Sequence, residues 1–89
     1  MALLMQRALF GEVSPALRAA GFSLNDDQIT LVFYYDGKIS ERDEESASCV
    51  ETEVIAALPS EMQVASKVIR LDAPAKLPSP VRWVYSRRE

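Results

Sequence analysis

The sequence contains no histidine and a single cysteine, Cys49. One cysteine excludes an internal disulfide, and it cannot make a zinc set without histidine partners. Serine- or cysteine-based nucleophilic catalysis through a histidine is excluded for the same reason. The three glycines, Gly11, Gly21 and Gly37, stand singly, so there is no glycine-rich loop to cradle a phosphate. A carboxylate-only site for Mg²⁺ or Ca²⁺ calls for acids at a spacing such as Asp-x-Asp-x-Asp-Gly, which does not occur. Long apolar runs are missing too. Residues 1–10 are broken by Gln6 and Arg7, follow no cationic segment, and fall short of the ~20 residues of a membrane span. The expectation is a cytoplasmic protein with no cofactor, no metal and no membrane association, and the lack of disulfides suits that compartment.

What is present is enough for one core. The 89 residues are 48% hydrophobic, and a chain of this size hides roughly 60–65% of the surface its unfolded form exposes. A single α+β domain over residues 1–89 is expected. The net charge of −3 is unevenly spread: seven acids (Asp36, Glu41, Asp43, Glu44, Glu45, Glu51, Glu53) meet only Lys38 and Arg42 in the same stretch. Such asymmetry bears on partners and association rather than on fold.

Residues 1–10 have helical spacing, with Leu3, Leu4, Ala8 and Leu9 on a shared face, and Gly11 as a stop. The segment 28–35 (QITLVFYY) is the strongest strand, with Ile29, Leu31, Phe33 and Tyr35 on one side. The turn cluster Asn25-Asp26-Asp27 before it makes residues 17–24 the first arm of a hairpin. Asp36-Gly37 closes the second arm. Ser40 is a helix N-cap followed by first-turn acids, and Pro59 ends that helix near Leu58. Its apolar stripe is Ala47, Val50, Val54, Ala57 and Leu58. Residues 62–71 read as a strand whose alternation slips, implying a bulge or burial on both sides. After a proline-rich link, residues 81–86 form a last strand, with Val81, Trp83 and Tyr85 toward the core. The expected order is α-β-β-α-β-β: a four-stranded antiparallel sheet with the long helix packed on one face.

Trp83 and Tyr85 beside Arg82, Arg87 and Arg88 suggest base stacking. An acidic chain with a core-facing aromatic pair argues against direct nucleic-acid binding. Cys49, amid acids that disfavour a thiolate, reads as a buried or half-buried structural residue. Paired carboxylates could serve hydrolysis in a cleft, but a solvated helix face explains them more simply, and no enzyme is expected. The acids have few bases at i,i+4 to neutralise them. An unneutralised acidic surface suits a basic partner. The candidate partner-binding residues are Asp36, Glu41, Glu44, Glu45 and Glu51, with Asp43 explained by capping.

Four stretches form a pattern: Phe33-Tyr34-Tyr35-Asp36-Gly37-x-Ile39-Ser40-Glu41-x-Asp43-Glu44-Glu45, Glu51-Thr52-Glu53-Val54-Ile55-Ala56, Ile69-Arg70-Leu71-Asp72 and Arg82-Trp83-Val84-Tyr85. Over residues 11–89 it resembles small bacterial immunity proteins of contact-dependent growth inhibition systems. The resemblance implies an antidote that binds and blocks a cognate toxin domain, often a nuclease with a basic, phosphate-binding active site. It brings no catalytic or binding residues with it. A small adaptor without a toxin is the alternative reading.

Overall fold

The structure, a computed structural model, describes residues 2–73, 75–77 and 82–87. Helix α1 covers Ala2–Leu9 and strand β1 Leu17–Asn25. Strand β2 runs Gln28–Tyr35, helix α2 Glu41–Ala57, strand β3 Gln63–Arg70 and strand β4 Arg82–Ser86. This is the expected chain order. The expected beginning of the last strand at Val81, together with Pro74, Pro78, Pro80 and Arg88, lies outside the described residues.

β1 and β2 form the predicted hairpin, turning through Asp26 and Asp27. Asp26 takes φ +54°, in the left-handed region that a short polar side chain tolerates. Gly11 and Gly37 also have positive φ. Gly11 follows α1 as the anticipated stop, and the Gly37 amide donates to Asp72 Oδ1 at 2.7 Å.

The sheet is mixed, not antiparallel throughout. β2 pairs with β3 in parallel from Gln28↔Gln63 to Tyr35↔Arg70, without a register shift. β4 lies antiparallel to β1, and the spatial order is β3-β2-β1-β4. The reason is length. The 17 residues of α2 span about 25 Å, close to the length of the strand before it, so the chain returns to where β2 began and enters β3 in the same direction. This is a strand–helix–strand crossover, where the sequence reading supposed hairpin links.

Both helices lie on one face of the sheet. Met5, Ala8 and Leu9 of α1 and Ala47, Val50 and Val54 of α2 join Leu17, Phe22, Ile29, Leu31, Phe33 and Tyr35 in the core. Leu58 packs partly against it, whereas Ala57 is exposed. In α1 the inward face is Met5, Ala8 and Leu9; Leu3, expected there, is 61% exposed. β3 is half-buried on both sides without a bulge: Val64 and Val68 pack partly against the core, and Ile69 pairs with Tyr34 on the far side. In β4 the pairing slips between Ala20↔Tyr85 and Gly21↔Trp83. The slip sends the two aromatics to opposite faces, correcting the shared core face expected for them. Tyr85 packs against the core, while Trp83 stands edge-on to Tyr34 at 5.8 Å.

β3 and β4 run the same way at opposite edges, so the segment between them must traverse the sheet. Its first residues cross the ends of β2 and β1. Leu71 N donates to Tyr35 O at 2.9 Å, and the buried Arg18 guanidinium donates to Leu71 O at 2.7 Å and Ala75 O at 2.8 Å.

Candidate functional site

Ser40 begins α2 in extended backbone, and its Oγ accepts from Asp43 N at 3.1 Å. That bond satisfies one of the amides left open at a helix start. Asp43 is buried at 7% exposure, pointing inward with the stripe of Ala47, Val50 and Val54. Beneath it the Tyr35 hydroxyl donates to the Asp43 carbonyl at 3.3 Å. Burial, with the nearby charges of Asp43 and Glu12, pushes the Tyr35 hydroxyl up to a pKa of about 12.

The five predicted partner-binding residues fall into two groups. Glu41, Glu44 and Glu45 are exposed on α2, four or fewer positions apart on its outer side, and each projects from the turn that Ser40 and Asp43 hold. Glu51 and Asp36 are engaged inside the fold. Glu51 accepts from the Ser66 hydroxyl, tying α2 to the edge strand β3. Asp36 receives Arg87 Nη2 at 3.1 Å and the Ala73 amide at 3.3 Å, so it clamps the crossing segment and the end of β4.

A concave surface lies on the side of α2 away from β3. The turn from Gly11 to Ala16 and the first turns of α2 enclose a cleft of about 500 Å³, lined by Ser40, Arg42, Asp43 and Ser46 on the helix side. A second hollow of about 480 Å³ shares Glu12, Arg42 and Ser46 with it and adds Glu41, Glu45 and Cys49. Cys49 is exposed, contrary to the buried or half-buried place expected. It stands one position before Val50, about 100° off the apolar stripe. Val13 in the lining of the first cleft is 42% exposed, and Phe10, which precedes Gly11 in the chain, is 91% exposed. Among the described residues no three His, Cys, Asp or Glu side chains are grouped to hold a metal. No helix among them is long and apolar enough to cross a membrane.

A family model described as MafI2 immunity protein matches residues 1–89. The chain belongs to this family. It is therefore a small bacterial immunity protein of a toxin system, as the pattern in the sequence implied. No curated protein gives a significant match. MafI2 membership favours toxin neutralisation over the adaptor reading, and proteins of an immunity family are generally not enzymes. For an immunity protein the relevant geometry is a surface to be covered. In this MafI2 family member the acids of α2 stand exposed beside the concave surface. The turn after α1 lines the first cleft and exposes Phe10 and Val13, a feature that the sequence reading passed over. The signal was there: Phe10 directly precedes a helix-stopping glycine and sits off the face formed by Met5, Ala8 and Leu9.

Proposed function

We propose that this protein neutralises a cognate toxin of a contact-dependent growth inhibition system, in the cytoplasm, by covering a basic surface with the outer acids of α2. The toxin domain is a nuclease, whose phosphate-binding active site supplies the positive charge. Glu41, Glu44 and Glu45 supply the acidic part of the contact. Glu51 and Asp36 contribute less, because each carboxylate already accepts hydrogen bonds within the chain.

One observation carries this reading. Glu41, Glu44 and Glu45 are exposed on consecutive turns at the N-terminal end of a helix whose cap and burial depend on other residues. Local structure leaves them no duty beyond a favourable interaction with the helix dipole. Opposed to a cationic site they would steer association and raise its rate. Membership of an immunity family supplies the toxin.

The test is calorimetric titration of the protein with the toxin domain encoded beside it, at low and high ionic strength. Reversing three charges together (Glu41→Lys, Glu44→Lys, Glu45→Lys) should weaken binding by at least about tenfold at low salt and flatten its salt dependence. Circular dichroism should show an unchanged fold. Affinity equal to that of the unaltered protein would remove these acids from the interface.

A further inference from the structure

We propose that the contact with the toxin is anchored not on the helix but beside it: Phe10 inserts into an apolar pocket of the toxin while a toxin lysine or arginine enters the adjoining cleft. This rests on the immunity reading above and assigns the recognition chemistry within it.

Phe10 is 91% exposed, an unusual position for a large aromatic ring. It is not needed where it stands. The α1 face toward the core is complete with Met5, Ala8 and Leu9, and the Phe10 amide simply closes the helix on Arg7 O at 3.2 Å. Nor is it a solitary apolar residue. Leu3 on α1 is 61% exposed, and Val13 in the turn that follows Phe10 is 42% exposed. Aromatic side chains that present large rigid area at low entropic cost are the anchors of protein interfaces.

The second half of the site adjoins the first through the backbone. Gly11 and Glu12, which follow Phe10, are walls of the cleft of about 500 Å³ under the turn. Glu12 continues into the hollow beside Glu41 and Glu45. The walls of the two hollows carry four carboxylates, Glu12, Glu41, Asp43 and Glu45, and one cation, Arg42. A concave surface with such an excess focuses negative potential and takes a cationic side chain. Glu44 lines neither hollow. The charge complementarity of the cleft and the exposed ring together specify one occupant, a basic toxin face on which an apolar pocket borders a lysine or arginine. Arrangements of this kind combine a buried anchor with a charged rim.

The experiment uses the full chain and the toxin domain encoded beside it. Phe10→Ala should weaken binding by about 30-fold or more, as loss of an interface anchor does, with the thermal midpoint unchanged because the ring is exposed. Glu41→Lys with Glu45→Lys should weaken binding strongly, and Glu44→Lys alone by less than about threefold. With p-benzoylphenylalanine placed at position 10, illumination should crosslink the two proteins. An affinity within twofold of the unaltered protein for Phe10→Ala, together with no crosslink, would overturn the anchor while leaving the immunity reading intact. Absence of binding by the unaltered protein would instead overturn that reading.

Discussion

Tyr35 joins the sheet to the first turn of α2 with a buried ring and a hydroxyl on the Asp43 carbonyl. In the unfolded chain its hydroxyl titrates at 10, and in the fold it is pushed up to about 12. The folded state therefore holds the proton more tightly. The stability tied to it is fully present below pH 10 and declines as the pH climbs toward 12. Urea unfolding followed at a series of pH values should show that decline, and Tyr35→Phe should flatten it. At neutral pH the same substitution should cost about 1 kcal/mol for the lost hydrogen bond. At this scale the sequence was informative about residues whose role is local. The Ser40 cap and the inward side of β2 followed from spacing, as did the exposure of Glu41 and Glu45, opposite the apolar stripe of α2, and of Glu44 at its flank. It was silent on Asp36 and Glu51, because Arg87 and Ser66 are 51 and 15 positions away and only the folded sheet brings them near. Cys49 was misplaced because one position on a helix turns a side chain by about 100°.

Among the elements, α2 was the most legible, since both of its ends are written in the chain: Ser40 before it and Pro59 after it. Removing the cap with Ser40→Ala should lower stability by about 1 kcal/mol. Truncating the stripe with Val54→Ala, at a position fully buried, should lower it by about 2 kcal/mol. Both are measurable by chemical denaturation, and together they would show whether the face presented to a partner depends on the cap or on the core. The strands were legible as strands but not in their pairing. Alternating apolar residues report burial, not direction. Whether β3 runs with β2 or against it depends on the distance α2 carries the chain. The slip in β4 was invisible for a related reason. It arises from the match to β1 at Gly21, and nothing within Arg82–Ser86 marks it.

For the molecule as a whole, the crossing from β3 to β4 is held by Arg18, only 2% exposed. Its guanidinium gives hydrogen bonds to backbone carbonyls 53 and 57 positions along the chain. Arg18→Met keeps much of the volume but takes the donor from those partly buried carbonyls, which should cost about 2 kcal/mol. Amide exchange at Leu71, whose N–H rests on Tyr35 O, should accelerate with it. The same crossing is braced by Asp72, whose carboxyl is held below its usual range, chiefly by the hydrogen bond from Arg70 and next by the Gly37 amide. That support is present above pH 3.8 and is lost as acid protonates the group.

The placement of β4 also has a consequence in time. Ala19 is paired with Ser86, 67 positions later, so β1 lacks one of its two neighbours until the ribosome has passed Ser86. The β1–β2 hairpin and the α2 crossover can form earlier from nearer contacts, but the last strand closes a long loop, and such closures slow folding. An antidote must be finished before its toxin acts. At translation rates of about 5–20 residues per second, the final strand emerges several seconds after the first, so the sheet is completed only after the acidic helix has been made.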